Sequence, residues 1–188
     1  MTALTPANQL TFLRMLLIPA FVILVLYGEL GWALTVFATA GVTDGLDGLI
    51  ARRSGQKTQL GAWLDPMADK LLLVTTFIVL TLPGLGLANR LPVWLTVLII
   101  SRDVVIVLTV TIVNLAIGSR TFQPSVFGKA ATAIYIVTAV AAMLFNYLGR
   151  HSGLVDVLVY ASLAITIVSS LHYIWHAARI IDEPRASV

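Results

Sequence analysis

The sequence predicts an all-α, polytopic membrane protein with six transmembrane helices, on three observations. Hydrophobic residues make up 59% of the 188 and charged residues only 11%, against roughly a quarter charged in an ordinary soluble domain. Apolar runs long enough for a helix to cross a hydrocarbon core of ~30 Å recur along nearly the whole chain. Breaks rich in glycine, proline and charge fall between them, at Tyr27–Gly31, Arg52–Lys57, Leu82–Gly86, Gly118–Pro124 and Tyr147–Gly153. No stretch is left for a separate soluble domain, so residues 1–188 are expected to form a single membrane domain.

Taken in order, the first span is expected over residues 9–27. It has the look of a signal sequence, but it lacks a small-x-small cleavage pattern and is interrupted by Arg14 and Pro19, so it is read as a retained helix. The second, over 32–52, runs apolar until Asp44 and ends on Arg52 and Arg53. The third, over 60–82, carries Asp65 and Asp69 in its first half. The fourth, over 92–117, is apolar except at Arg102 and Asp103. The fifth covers 126–147 and follows Pro124. The sixth, over 154–178, ends among His172, Tyr173, Trp175 and His176.

An even number of spans puts both termini on one side. That side holds Arg14, Arg52, Arg53, Lys57, Lys70, Arg120, Lys129, Arg179 and Arg185, with Arg90 and Arg150 opposite. Basic residues accumulate in cytoplasmic loops, so the termini and the second-to-third and fourth-to-fifth connections are expected in the cytoplasm, across an inner membrane of bacterial type. There are no cysteines, which excludes disulfides, thiolate metal sites and cysteine nucleophiles. No nucleic-acid partner is expected.

Four of the nine acidic residues, Asp44, Asp47, Asp65 and Asp69, fall at the ends of two predicted spans, where ionised groups are costly unless paired or hydrated. On a helix, Asp44, Asp47, Gly48, Ala51 and Arg52 share a face, and Asp65 and Asp69 stand one turn apart. Two helices joined by a short loop would bring the pairs to a common cavity. Four close carboxylates repel unless neutralised, and a pair of divalent cations is the natural counter-charge. All-oxygen ligation suits Mg²⁺ or Mn²⁺, and two such ions can hold a diphosphate. Gly48 and Gly61 allow close approach of a ligand, and Arg52 is placed to bind a phosphate oxygen. The bland alternative makes these acids interhelical polar contacts or a proton or cation path.

Asp44-Gly-Leu-Asp47-Gly48-Leu-Ile-Ala51-Arg52, eight further residues, and Gly61-Ala-Trp-Leu-Asp65-Pro-Met-Ala-Asp69 resemble the signature of the CDP-alcohol phosphotransferases at every fixed position. The resemblance implies that family's six-helix membrane fold, usually homodimeric, with its active site on the cytoplasmic face. It also implies two divalent ions on Asp44, Asp47, Asp65 and Asp69, a general-base role for Asp69, and Gly48, Arg52 and Gly61 as residues that hold the CDP moiety. The donor it implies is CDP-diacylglycerol.

Other motifs bear on the acceptor. Asn8-Gln-Leu-Thr11-Phe-Leu-Arg14 looks like the start of phosphatidylglycerophosphate synthases and CMP-forming cardiolipin synthases. Asn8 and Thr11 are candidates for nucleotide binding, or for capping the first helix, and Arg14 for an anionic head group, or for snorkelling. Arg102, Arg120 and Lys129 are candidates for the phosphate of an acceptor alcohol, with Arg102–Asp103 pairing as the alternative for the first. Gly128-Lys129-Ala-Ala-Thr132 resembles the synthase branch, whereas Ser101-Arg102-Asp103 looks closer to the cardiolipin branch. Glycerol 3-phosphate is therefore the expected acceptor and phosphatidylglycerol the alternative. His172 and His176 stand one turn apart, as metal ligands can, but are read as part of an aromatic belt. Of different class, a cation transporter would explain the carboxylates but not Gly48, Gly61 and Arg52 beside them, and an inactive structural protein would not explain an intact signature.

Overall fold

In a computed structural model, the backbone is described for residues 6–54, 59–117 and 126–182, and side chains for 9–43, 67–109, 111, 115 and 126–175. Six helices follow one another: α1 (Pro6–Leu26), α2 (Leu30–Ser54), α3 (Gln59–Thr81), α4 (Val93–Ile117), α5 (Val126–Tyr147) and α6 (Gly153–Asp182). Each matches a predicted span. The largest departures are α1, which begins three residues earlier than expected, and α6, which continues to Asp182.

Three helical stretches among the described residues are long and apolar enough to cross a bilayer, Gln9–Leu26, Val126–Tyr147 and Gly153–Trp175. Large apolar side chains such as Leu16, Ile23, Val107, Leu144 and Ile174 stand exposed on the helices. Such surface is stable facing lipid and not facing water. The protein is an all-helical integral membrane protein. Pro19 lies inside α1 without ending it, as is tolerated where neighbouring helices make up for the lost backbone bond.

Two turns end in the same way. After α1, Gly28 (φ 79°) lets its own N–H reach the Val25 carbonyl at 3.0 Å and the Glu29 N–H reach Leu24 at 2.8 Å. After α5, Gly149 (φ 63°) repeats the pattern, with its N–H on Asn146 at 3.0 Å and that of Arg150 on Phe145 at 3.1 Å. These pairs of bonds form the Schellman motif, which needs a left-handed residue and so favours glycine.

The contacts divide the chain into two compact units. The first comprises residues 1–91 and 139–152, the second residues 92–138 and 153–188. In the first, α1 packs on both α2 and α3. Phe21 meets Phe37 with ring centroids 6.0 Å apart, and Ala33, Ala40 and Ala68 are buried small residues that let helices approach closely. Gly31 faces the exposed Tyr147 ring, which would have to move aside for a Cβ that would otherwise stand 2.8 Å from it. The α3–α4 connection is tied down by Asn89, whose backbone N–H donates to Asn146 Oδ1 at 2.6 Å and whose side-chain amide donates to the Arg150 carbonyl at 2.7 Å. The Ser152 N–H donates to Asn89 Oδ1 at 2.8 Å.

In the second unit α4 packs on α6, and α6 presents a row of hydroxyls to its neighbours. Ser162 bonds to Thr138 at 2.9 Å, Thr166 to Tyr135 at 2.6 Å, and Ser169 accepts from Arg102 at 2.7 Å. Polar side chains at these spacings bridge helices where lipid supplies no partner.

Candidate active site

The candidate site is built at the joined ends of α2 and α3. Helical backbone runs through 44–54 and 59–69, so Asp44, Asp47, Gly48 and Arg52 stand on α2 and Gly61, Asp65 and Asp69 on α3, with the i,i+3 and i,i+4 spacings that the sequence suggests. Only residues 55–58 connect the two helices, and both helices rest on α1. The side chains of Asp44, Asp47, Arg52 and Asp65, and the surroundings of Gly48 and Gly61, lie outside the described residues. Among the described residues no three metal-ligating side chains therefore form a group.

Asp69 is the member of the cluster whose side chain is described. Its Oδ1 accepts a hydrogen bond from Nη1 of Arg14 in α1, forming an ion pair in which the arginine is fully buried and the aspartate is 44% exposed. Thr11, one turn before Arg14, is also buried. Arg14 thus neither snorkels nor stands open at a surface. It is engaged with Asp69 from inside the helix packing, which sequence spacing did not suggest because the partner lies 55 residues away. The Asn8 side chain lies outside the described residues, although its backbone belongs to the first turn of α1.

The acceptor candidates fall elsewhere in the chain. Lys129 is exposed near the start of α5, and Arg120 lies outside the described residues. Arg102 donates from Nη1 to Asp103 at 2.8 Å and from Nη2 to Ser169 at 2.7 Å, with its side chain 9% exposed. Two of its donor groups are therefore committed to packing within the second unit, a role the adjacent Asp103 foreshadowed and Ser169 did not. His172 stands edge-on to Phe127 at 4.8 Å and lies 6.3 Å from Trp175, an aromatic setting. The side chain of His176 lies outside the described residues.

The residues present suit divalent cations. The donor set is all oxygen, two carboxylate pairs stand at helical spacing on adjacent helices, and the one carboxylate described already draws a cationic group to itself.

Six helices, with three stretches among the described residues long and apolar enough to cross a membrane, and paired aspartates where the second and third helices join, are the features that characterise the chain. A family model described as CDP-alcohol phosphatidyltransferase matches residues 4–168. The chain belongs to the CDP-alcohol phosphatidyltransferase family, whose members depend on divalent metal. It is 33% identical over 181 residues to a probable phosphatidylglycerophosphate synthase of Mycobacterium tuberculosis, an alignment covering 92% of this chain and 81% of that protein. It is 34% identical over 194 residues to a CMP-forming cardiolipin synthase of Rattus norvegicus, covering 93% of this chain and 62% of the relative. A CMP-forming cardiolipin synthase of Streptomyces coelicolor is 40% identical over 135 residues, covering 69% and 60%.

Proposed function

We propose that the protein transfers the phosphatidyl group of CDP-diacylglycerol to glycerol 3-phosphate, giving phosphatidylglycerol phosphate and CMP. The observation that carries the choice of acceptor is the extent of the match to the probable phosphatidylglycerophosphate synthase, which covers most of both chains, whereas the cardiolipin synthase of rat extends well beyond the alignment. The Gly128-Lys129-Ala-Ala-Thr132 element supports the same acceptor. Arg102 and Asp103, the cue toward cardiolipin synthesis, pair with each other within the second unit, so their identity follows packing as readily as substrate. The reading of phosphatidylglycerol as acceptor is favoured by the names of several relatives at 34–40% identity.

On this reading residues 1–188 act as one catalytic domain, working as a homodimer, with six membrane spans and the active site on the cytoplasmic face of a bacterial-type inner membrane. Asp44, Asp47, Asp65 and Asp69 hold two Mg²⁺ or Mn²⁺ ions. When bound, these supply charge neutralisation and polarisation of the diphosphate. Gly48 and Gly61 admit the CDP moiety, Arg52 binds a phosphate oxygen and Asn8 contributes a hydrogen bond to the nucleotide, whereas Thr11, the other nucleotide candidate, is wholly buried on the inward face of α1 and is better explained by helix packing. Asp69 accepts the proton of the acceptor hydroxyl as its oxygen forms a bond to the phosphorus attached to diacylglycerol. The bond from that phosphorus to the bridging oxygen breaks, and CMP departs with the electron pair. Lys129 and Arg120 are assigned to the acceptor phosphate, whereas Arg102 is better explained by its bonds to Asp103 and Ser169, and Arg14 by its engagement with Asp69.

The deciding experiment supplies the purified protein, in lipid nanodiscs with Mg²⁺ or Mn²⁺, with CDP-diacylglycerol and either glycerol 3-phosphate or phosphatidylglycerol, and identifies the lipid product. Phosphatidylglycerol phosphate is expected. Cardiolipin formed in its place overturns the acceptor, and ion flux without CMP formation overturns the reaction.

A further inference from the structure

We infer that Arg14 is a positioning residue for Asp69: from inside the helix packing it fixes one carboxylate oxygen, and so orients the carboxylate toward the exposed side where cation and acceptor hydroxyl are met. This rests on the reading of Asp69 as metal ligand and base. Arg14 has no exposed surface, while Asp69 is 44% exposed, so the pair runs from the interior outward. Arg14 belongs to the inward stripe of α1, with Thr11 one turn before it and Phe21 and Val25 two and three turns after, all buried. That stripe belongs to the helix that packs on both carriers of the acidic cluster.

An arginine with no exposure is retained in an apolar span only where acceptors meet it, and snorkelling, which needs the head group in water, does not describe this one. An aspartate on a helix turns about two side-chain bonds, whereas a ligand and base must keep one orientation to within a fraction of an ångström. A partner that holds one of its oxygens supplies that constraint, as groups bonded to metal ligands commonly do. The guanidinium is suited to it because its planar fork fixes direction as well as charge, whereas a lysine ammonium supplies charge alone.

The test compares Arg14→Lys, Arg14→Gln and Asp69→Asn in nanodiscs by two measurements. One is CMP release, resolved into kcat and KM for CDP-diacylglycerol; the other is the Mg²⁺ concentration that half-maximally raises thermal stability without substrate. In Arg14→Lys, kcat is expected to fall about tenfold or more with KM little changed, and the Mg²⁺ midpoint to rise by a similar factor. Arg14→Gln is expected to be more severe in both. Wild-type kcat and midpoint in Arg14→Lys overturn the inference. So does failure of both Arg14 variants to yield monodisperse protein while Asp69→Asn yields it, since Arg14 would then serve folding alone. Near-normal turnover in Asp69→Asn would instead remove the base assignment itself, a result legible without the Arg14 variants.

Discussion

Arg14 and Asp69 form an ion pair between α1 and α3, with the guanidinium wholly inside the protein and the carboxylate 44% exposed. The pair ties α1 to the α3 carboxylate that belongs to the candidate site. The guanidinium has lost its water while the carboxylate keeps part of its own, so removing the carboxylate outright would leave a buried charge uncompensated. Removing either side chain outright therefore acts on both stability and chemistry, whereas an amide at position 69 keeps an acceptor for the bond.

Asp69→Asn preserves an oxygen that can accept from Arg14 but cannot take up the acceptor proton at neutral pH. CMP release is expected to fall on the order of 10²–10⁴-fold. Size-exclusion chromatography in detergent should show a monodisperse protein, because the interhelical hydrogen bond survives.

Removal of divalent cations is expected to stop turnover and to lower the thermal midpoint, because the carboxylates of α2 and α3 then repel one another. Titrating Mg²⁺ or Mn²⁺ into EDTA-treated protein should restore both. Full activity in excess EDTA would dispose of the metal assignment.

Lys129→Ala is expected to raise KM for glycerol 3-phosphate by about tenfold while changing that for CDP-diacylglycerol little, since one charge-assisted contact to a phosphate is lost. Equal increases for the two substrates would count against an acceptor role.

Ser169→Ala removes the acceptor of the 2.7 Å bond from Arg102. Interhelical hydrogen bonds in membranes average ~0.6 kcal/mol and reach ~1.7 kcal/mol. The thermal midpoint should fall by a few degrees with both KM values unchanged. A selective rise in KM for the acceptor would show instead that Arg102 reaches the substrate.

Asn146→Ala strips the buried Asn89 N–H of its 2.6 Å acceptor. An orphaned buried donor costs about 1–3 kcal/mol. Earlier unfolding on heating is expected, with CMP release at low temperature intact.

The sequence by itself determined the six helices, because length, apolarity and the glycine and proline breaks are local properties that a bilayer enforces. It likewise determined the reaction type, since the spacing of Asp44, Asp47, Gly48, Arg52, Gly61, Asp65 and Asp69 lies within two helices and one short loop. What only the tertiary structure decided is which distant side chains meet. Arg14 looked like a head-group ligand until α1 was seen to carry it inward to Asp69, and Arg102 looked like half of a neighbouring pair until Ser169 appeared across from it on α6. The hydroxyl row Ser162, Thr166 and Ser169 and the Asn89–Asn146 link were open to notice as polar residues at helical spacing or in a turn, but not as contacts. Nothing along the chain encodes such pairings locally: burying a polar group demands a partner, and which partner answers is settled only when the helices pack.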